Sequence, residues 1–568
     1  MTIDLNQRAG QKPYGITWID LILLGILGVL IISIVALSCV PPVGKDALVH
    51  HLAVPKLFLK HGGFYEIPSM AFSYYPMNID LLYLIPLYFG QDIIPKFIHF
   101  SFALLTAWVI FLYLKYRLNA TYAILGVLLF LSIPIIVKLS VTAYVDLGVI
   151  FFSTASVLFL FKWMEDKFRL GPLVLSAVSC GLAMGTKYNG LITFLLAALL
   201  VPFIYARYST QGKKGYSKAL GYTALFSLLA LIVFSPWMIR NYHWKHNPIY
   251  PLYQGWFVSK KAASNQVMDK KTQAFQMGRS IFTYRKVIYK EKWWEMALLP
   301  IRIFFQGKDG SPQYFDGKLN PFLLILPFFA FFPIREGPEE LRREKKILAG
   351  FALLYFLFAF FASDLRIRYV SPMIPALVLL SIFGVNSIMQ AVSQFKPKIV
   401  RLSGLSALSV LMIFIMAINA DYIIRQFLEI KPFQYITGKI SRDEYIAKYR
   451  QEYPALQYIN SHLPEDALIL FVFLGKRGYY CDRSYIVSGE SRIRRLVQQA
   501  VTPDEILMAF KRQGLTHLLI YDPIFVKWVN ENFEEVKKNM IKELFIKHIK
   551  ILYHENGFSV SIIKYPLT

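Results

Sequence analysis

Cysteine is scarce in this sequence, which has three cysteines in 568 residues. Cys39 and Cys180 lie in apolar stretches and Cys481 is distant from both, so a disulfide framework and a clustered thiolate metal site are excluded. Acidic residues are also few. The chain has 36 Asp and Glu against 62 Lys and Arg, which gives a net charge of +26.

Long apolar runs are what the sequence has in excess. Hydrophobic residues make up 55% of the chain, and its mean hydropathy is +0.43. Runs of about 20 residues, long enough to cross a hydrocarbon core of about 30 Å, recur from residue 17 to residue 420. A water-soluble globular protein is therefore excluded, and the sequence predicts an α-helical protein that crosses a membrane many times.

The basic excess lies almost entirely in the apolar part of the chain. Residues 421–568 hold 21 Lys and Arg and 17 Asp and Glu, whereas residues 1–420 hold 41 and 19. In a membrane protein such an excess marks loops that stay in the cytoplasm. We therefore expect no nucleic-acid partner.

We predict about eleven transmembrane helices, at 16–38, 93–114, 119–138, 145–163, 171–188, 190–206, 218–236, 319–334, 347–363, 369–389 and 402–420. Basic residues fall in alternate loops, which places the amino terminus inside and the carboxyl terminus outside. Those residues include Arg8, Lys12, Lys115, Arg117, Lys162, Lys213, Lys214, Arg335 and Lys396.

This topology requires that residues 77–89 do not cross the membrane. The stretch has about 13 residues, carries Asn78 and Asp80, and is typical of a helix lying along the outer surface. The alternative, a crossing, would place Lys115 and Arg117 outside and Asp146 inside.

We divide the chain into a transmembrane domain, 1–420, and a small extracytoplasmic α/β domain, 421–568. The first carries two long outer loops, at about 40–92 and 237–318. In the second, residues 467–473 (ALILFVF), 516–521 (THLLIY) and 558–564 predict strands, whereas 503–513 and 529–547 have helical spacing. A cluster of arginines is typical of a solvated face, with substrate binding as the alternative: Arg492, Arg494 and Arg495.

Two carboxylates stand just beyond the outer ends of predicted helices, where a charged group avoids the cost of burial in lipid. Asp46 and His50 are four residues apart, so a helical segment would place them on one face as a general base and a positioning group. An interfacial helix with polar residues among the headgroups is the alternative. The neighbouring His51 gives only a weak metal signal. Asp146 precedes an apolar helix, where capping that helix is the alternative to a catalytic role.

Three cations occur on the same outer side, against the positive-inside bias. Lys187 interrupts two apolar helices, Arg240 follows the seventh predicted crossing, and Arg368 precedes the tenth. Lysine snorkelling is the alternative for Lys187. Together with the two carboxylates, these cations predict a site for a lipid-linked phosphate beside a base that activates an acceptor.

In their order and spacing, these motifs resemble the GT-C superfamily of membrane glycosyltransferases. The similarity is greatest to bacterial proteins grouped with protein O-mannosyltransferases (glycosyltransferase family 39-like) and to the aminoarabinose transferase that modifies lipid A. It covers most of residues 17–390. The motifs are the Asp46 loop, YYPMNID at 74–80, AYVD at 143–146, GTKYNG at 185–190, PW at 236–237 with RN at 240–241 and NPIYP at 247–251, and RY at 368–369 with Pro372 and Pro375.

The resemblance implies an inverting transfer of a hexosyl or pentosyl group from a polyprenyl-phosphate donor on the outer face of the plasma (inner) membrane. The acceptor is a lipid, a polysaccharide or a protein. The resemblance implies that Asp46 is the general base and that Asp146 is the second catalytic acid position. The residues expected to bind the donor and its phosphate are Lys187, Arg240, Arg368, Tyr369, His50 and Tyr75.

The sequence departs from the family pattern at two positions. Asp46 is followed by Ala47 rather than by a second acid, so we assign no metal or other cofactor. Assistance by a divalent metal is the alternative. Tyr75 stands where relatives of the lipid A enzyme carry a basic residue. The donor phosphate must then bind other cations: Lys187, Arg240, Arg368, or an arginine of the long loop such as Arg279 or Arg285.

Two other functions remain as alternatives. A polytopic lipid or sugar transporter or flippase without transferase activity also needs polar residues among apolar helices. Against it stand the lack of a convincing inverted repeat and the concentration of charged motifs on one face. The third reading is a non-catalytic subunit of an envelope assembly.

Overall fold

The computed structural model describes residues 17–209, 215–257, 281–332, 338–362 and 365–566. Of the residues named above, Arg8, Lys12, Lys213, Lys214, Arg279 and Arg335 lie outside these ranges. The helices as far as Lys245 are α1 (Trp18–Ser38), α2 (Ala53–His61), α3 (Asn78–Tyr88), α4 (Ile94–Arg117), α5 (Ala120–Ser132), α6 (Pro134–Ser140), α7 (Asp146–Glu165), α8 (Leu170–Thr186), α9 (Gly190–Tyr208) and α10 (Gly215–Lys245).

The second half of the membrane part begins with short helices and ends with long ones. They are α11 (Gln254–Phe257), α12 (Ile281–Tyr289), α13 (Trp293–Ala297), α14 (Leu299–Phe305), α15 (Phe322–Phe329), α16 (Glu339–Ala362), α17 (Ile367–Val370), α18 (Ile374–Ser393) and α19 (Lys398–Ile430).

Seven helices of the described ranges are long and apolar enough to cross a membrane, which confirms a polytopic helical protein. They are α1, α4, α7, α9, α10, α18 together with the turns that precede it from Ile367, and α19. Helices α5 and α6 make an eighth crossing if they are one span bent by 68°. The bend occurs at Pro134 because proline lacks an amide hydrogen and forces the preceding residue out of the helical conformation.

Each of the eleven predicted crossings contains a helix, but three of these helices are not among those that are long and apolar enough to cross a membrane. Helix α8 has 17 residues and α15 has 8, whereas α16 begins with a charged segment. Helix α3, which covers the stretch that we predicted not to cross, has 11 residues and a length of about 16 Å. That is about half of the hydrocarbon thickness.

Helices α7 and α18 form the interior of the membrane part. Helix α7 packs against α4, α8 and α9, and α18 packs against α5, α15 and α16. The apolar window of α18 is 78% buried and that of α7 is 67% buried, whereas that of α19 is 11% buried. The two interior helices are therefore α7, which begins at Asp146, and α18, which follows Arg368 in sequence.

The carboxyl-terminal part is an α/β domain with one five-stranded sheet. Its strands are β1 (Leu468–Val472), β2 (Ser484–Ile486), β3 (His517–Tyr521), β4 (Ile549–Glu555) and β5 (Phe558–Ile563). The strand order is β2-β1-β3-β5-β4, in which β1 runs parallel to β2 and β3, and β5 runs antiparallel to β3 and β4. The helices are α20 (Pro432–Ile436), α21 (Arg442–Tyr449), α22 (Tyr453–His462), α23 (Gly489–Gln499), α24 (Pro503–Arg512), α25 (Asp522–Asn532) and α26 (Glu535–His548).

Two features of this domain differ from the sequence prediction. The helix predicted at 529–547 is two helices, α25 and α26, because Phe533 takes an extended conformation and packs against Trp528 with ring centroids 5.1 Å apart. Strands β2 and β4 were not predicted. The domain boundary placed at residue 421 falls within α19, which continues to Ile430.

Candidate active site

The segment after α1 carries the first predicted carboxylate. Asp46 immediately precedes a π-helical turn, Ala47–His51, in which the Leu52 amide donates to the Ala47 carbonyl at 2.9 Å. This wider turn changes the usual spacing of side chains. As a result, the rings of His50 and His51 lie 3.9 Å apart between centroids, although adjacent side chains on an α-helix point apart.

Asp46 is paired with Arg368. The Arg368 guanidinium donates to Asp46 Oδ2, and the Asp46 amide donates to the Tyr144 hydroxyl at 3.4 Å. Burial by itself raises the pKa of Asp46, but the charge of Arg368 and then that of His50 outweigh it and hold the pKa well below its usual range. The carboxylate is therefore ionised at neutral pH.

Asp146 is paired with the second predicted cation. Lys187 Nζ lies 2.6 Å from Asp146 Oδ1, and the Asp146 side chain is 3% exposed. Asp146 is the first residue of α7, where the helix dipole favours a negative charge, but its side chain makes no capping hydrogen bond. Lys187 reaches it from the extended residue that ends α8.

Tyr369 connects the two ion pairs. Lys187 Nζ lies 5.3 Å from the centroid of the Tyr369 ring, and Arg368 Cζ lies 5.1 Å from the same centroid. Asn189 at the start of α9 donates to the Tyr369 carbonyl at 3.4 Å. The structure thus brings Asp46, Asp146 and their two cations into one site, as the sequence predicts.

Arg240 has no carboxylate partner among the described residues, and it contacts Tyr75, whose ring lies 5.2 Å from that of Tyr188, the residue after Lys187. Its guanidinium packs between Trp237 and Trp244, with Cζ 4.6 and 5.1 Å from their ring centroids. Its Nη2 donates to the Tyr75 carbonyl and to Asn241 Oδ1, each at 3.0 Å. Arg240 is therefore a positive charge that no acid of the described ranges neutralises.

Several polar atoms of the site are buried without a hydrogen-bond partner. In the part of the chain that the structure describes, nine buried side-chain atoms lack one, and four of them belong to predicted site residues: His50 Nδ1, Asp146 Oδ2, Arg240 Nη1 and Arg368 Nε. Each such atom costs about 1–3 kcal/mol. Their concentration in one place is typical of a site that binds a polar ligand.

His51 and Asp80 form a pair that the sequence did not predict. His51 Nδ1 lies 2.8 Å from Asp80 Oδ1. Burial raises the pKa of Asp80 well above its usual range and lowers the pKa of His51 to about 3, so burial favours the neutral form of each group. The pair is a buried hydrogen bond that ties α3 to the π-helical turn after Asp46.

Asn78 and Tyr144 are further residues whose contacts the sequence did not reveal, although both lie in the motifs above. The Tyr144 hydroxyl accepts from the Asp46 amide, and Asn78 links two helices. Asn78 Oδ1 accepts from Trp237 Nε1 at 2.8 Å, which ties α3 to α10. A Cβ on Gly185 would lie 2.3 Å from Asn78 Nδ2, so the glycine permits the close approach of α3 to α8. The GTKYNG sequence was the available signal for this contact.

The structure gives Arg285 a different role from phosphate binding. Its Nε and Nη2 atoms bind both oxygens of Glu291 at 2.6 and 2.8 Å, and Arg302 binds the same carboxylate. Arg285 is thus held within the long outer loop. No group of three or more His, Cys, Asp or Glu in the described ranges is arranged to hold a metal ion.

Comparison with known proteins gives one family match and several structural matches. Residues 93–239, which include Asp146 and Lys187, match the family model described as dolichyl-phosphate-mannose-protein mannosyltransferase. A search of curated protein sequences found no match.

Among solved structures, ArnT from Cupriavidus metallidurans bound to undecaprenyl phosphate is 14% identical, with a TM-score of 0.56 over 96% of this chain and 98% of that one. Its apo state is 13% identical, with a TM-score of 0.55 over 95% and 97%. The oligosaccharyltransferase AglB from Archaeoglobus fulgidus, in complex with an inhibitory peptide and a dolichol-phosphate, is 11% identical, with a TM-score of 0.49 over 97% and 75%. The resemblance found in the sequence is confirmed: this chain is a membrane protein with the fold of the GT-C glycosyltransferases.

Proposed function

We propose that this protein is a membrane glycosyltransferase. It moves a sugar from a polyprenyl-phosphate donor to an acceptor on the extracytoplasmic face, with inversion and with Asp46 as general base. The observation that carries the proposal is the two ion pairs, Asp46–Arg368 and Asp146–Lys187, that meet at the Tyr369 ring, with buried polar atoms of Asp146 and Arg368 left without a partner among the described residues. Undecaprenyl phosphate is the ligand of the ArnT structure that shares the fold.

The donor phosphate binds Arg240 in this proposal. Lys187 and Arg368 each face a carboxylate, whereas Arg240 faces none in the part of the chain that the structure describes, and Arg240 Nη1 is buried and unpartnered there. Its bond to the Tyr75 carbonyl also places a cation beside the position where relatives of the lipid A enzyme carry a basic residue. Charge-assisted bonds to phosphate are among the strongest that a guanidinium makes.

Donor binding also strengthens the base. While Arg368 is bound to Asp46, the carboxylate has a low pKa and is a weak base. The buried Nε of Arg368 can donate to a phosphate. A phosphate that draws Arg368 away from Asp46 leaves burial to raise the pKa of Asp46. The base thus gains strength when the donor is present.

The reaction is one displacement at the anomeric carbon. The acceptor oxygen forms a bond to this carbon as its bond to the phosphate oxygen breaks, and the bonding electrons leave with the polyprenyl phosphate. Asp46 takes the proton of the acceptor hydroxyl. Lys187 and the arginines stabilise the leaving phosphate, and the free Oδ2 of Asp146 accepts a hydrogen bond from a sugar hydroxyl.

The site lies at the outer end of the helices in this proposal. Asp146 and Glu165 begin and end α7, which has 20 residues and a length of about 30 Å. At the Glu165 end, Arg117 forms ion pairs with Glu165 and Glu344. The loops at this end also carry Lys115, Lys162 and Lys167, and the positive-inside rule, which counts Lys and Arg, favours a cytoplasmic position for it and an extracytoplasmic position for the site at the plasma membrane.

The experiment measures release of free polyprenyl phosphate by the purified protein in lipid nanodiscs from a panel of polyprenyl-phosphate sugars, with a membrane extract as the source of acceptor. We expect at least one donor to turn over only when acceptor is present. If no donor is consumed but one is moved across the bilayer of proteoliposomes, the protein is a flippase. If donors bind without either change, the non-catalytic reading replaces the proposal.

A further inference from the structure

The carboxyl-terminal domain contacts the segment that carries Asp46. The connection between β1 and β2, residues 473–483, lies against the first outer loop. The Gly478 and Tyr479 amides both donate to the Leu48 carbonyl, each at 3.2 Å. Leu48 is two residues after Asp46, so the contact is made on the π-helical turn itself.

Two side chains of the same domain bind the segment just before Asp46. The Tyr480 hydroxyl donates to the Pro42 carbonyl at 2.8 Å. The Arg450 guanidinium donates to the Val43 carbonyl, through Nε at 2.6 Å and also through Nη2. Asp46 is therefore flanked on both sides in sequence by carbonyls that this domain binds.

The first outer loop binds the domain in return. Lys56 Nζ donates to the Tyr479 carbonyl at 2.8 Å and to Asp482 Oδ1 at 2.6 Å, and Lys60 donates to the Asp482 carbonyl at 2.9 Å. Arg442 of α21 pairs with Asp92 at 2.5 Å. These reciprocal contacts fix the orientation of the domain over the loop.

Hydrogen bonds to the backbone carbonyls of this segment come from the carboxyl-terminal domain at three positions. Residues 41–44 have no regular secondary structure, and Pro41 and Pro42 have no amide hydrogen to donate. On the transmembrane side, Arg368 pairs with the Asp46 carboxylate, the Asp46 amide donates to the Tyr144 hydroxyl at 3.4 Å, and Lys96 donates to the Pro41 carbonyl at 3.5 Å. The carbonyls of Pro42, Val43 and Leu48 are instead satisfied from the carboxyl-terminal domain.

We infer that the carboxyl-terminal domain positions the general base: Arg450, Tyr480 and the 478–479 amides hold residues 42–48 so that Asp46 meets the acceptor hydroxyl. Arg450 and Tyr480 are thus positioning residues that act through Asp46. The inference rests on the proposed role of Asp46 as base. Its physical reason is that proton transfer requires the base within hydrogen-bond reach, and a displacement of about 1 Å can cost about 10² in rate.

The test compares kcat and donor KM for Arg450→Met, Arg450→Lys and Tyr480→Phe in the full-length protein. We expect Arg450→Met to lower kcat about tenfold and to change the donor KM by less than about twofold, because the donor phosphate site is intact. Arg450→Lys should recover part of the loss, since an ammonium can still donate to the Val43 carbonyl. Tyr480→Phe should lower kcat by a smaller factor.

Matched controls lose the same kind of bond within the domain, away from residues 42–48. Lys537 donates to the Ala500 carbonyl and Tyr565 donates to the Leu515 carbonyl, so Lys537→Met and Tyr565→Phe should keep kcat. If the controls lower kcat as much as Arg450→Met does, the domain contributes only stability and the inference is wrong.

A double-mutant cycle separates this inference from the proposed function. Arg450→Met should have no further effect on an Asp46→Asn background, because it acts through Asp46. If Asp46→Asn alone retains activity, the proposed base is wrong. If Asp46→Asn is inactive but Arg450→Met keeps the wild-type kcat, the base stands and the positioning role is overturned.

Discussion

At the scale of single residues, the electrostatics of the site depend on which cation faces which carboxylate. Arg368 neutralises Asp46 and Lys187 neutralises Asp146, so Arg240 remains without an acid among the described residues. All five could be singled out in the sequence because each borders a predicted apolar crossing on its outer side, where a structural charge is costly. Their pairing could not, because Asp46 and Arg368 are 322 residues apart in sequence.

The first prediction concerns the pH dependence of activity. Because Arg368 holds the pKa of Asp46 below its usual range, the wild-type base stays ionised as the pH falls through the ordinary range of aspartate. In Arg368→Met the opposing charge is lost and burial raises that pKa, so the acidic limb of the kcat/KM profile should move to higher pH. Normalised profiles measure this, with the exposed Arg425→Met as control. An unmoved limb would show that Asp46 is not the group that titrates.

The second prediction concerns the donor phosphate. Arg240→Met should weaken the binding of polyprenyl phosphate about 10- to 100-fold, because a hydrogen bond to a charged group contributes about 1.5–3 kcal/mol. Titration of the purified protein with undecaprenyl phosphate measures the dissociation constant. Arg425→Met again serves as control, since Arg425 lies in a surface ion pair with Asp421. Equal affinity in wild type and Arg240→Met would remove Arg240 from the phosphate site.

At the scale of elements, hydropathy predicts the long helices but not the local turns and breaks. Hydropathy predicts where the long helices lie, because their length and composition are set by the bilayer. It does not predict the π-helical turn at Ala47–His51, or the break between α25 and α26, because each depends on contacts with residues distant in sequence or on local packing. The kink at Pro134 has a local cause in the proline itself.

The third prediction tests the approach of α3 to α8. Gly185→Ala places a Cβ 2.3 Å from Asn78 Nδ2, and moving Asn78 breaks its bond to Trp237. We expect a loss of about 1–3 kcal/mol in stability, seen as a lower thermal midpoint, together with lower activity. Gly221→Ala in α10 is the matched control: no atom lies within 4 Å of its Cβ, and alanine is the better helix former. A Gly185→Ala midpoint equal to that of Gly221→Ala would contradict the tight contact.

At the scale of the whole molecule, the fold separates a charged structural cluster from the candidate site by the length of α7. The GT-C fold could be predicted from the order of the motifs and from their spacing between the predicted crossings. The contact between the carboxyl-terminal domain and the Asp46 segment could not be predicted, since several of its hydrogen bonds use backbone amides and carbonyls. Because these groups belong to the main chain, the residue type does not reveal which of them form the contact.

The fourth prediction concerns the orientation of the molecule in the membrane. With the three native cysteines replaced, Glu531→Cys in the carboxyl-terminal domain should react with a membrane-impermeant maleimide in intact cells. Lys396→Cys, in the exposed loop between α18 and α19, should react only after the membrane is opened. The reverse pattern would place the site in the cytoplasm.

The fifth prediction tests the central claim, that Asp46 is the base of a glycosyl transfer. Once a donor is identified, its turnover and its dissociation constant are measured for wild type, Asp46→Asn and the surface control Asp421→Asn. We predict that Asp46→Asn binds the donor but turns it over about 10²- to 10⁴-fold more slowly, whereas Asp421→Asn matches wild type. Equal turnover in Asp46→Asn and wild type would contradict the account.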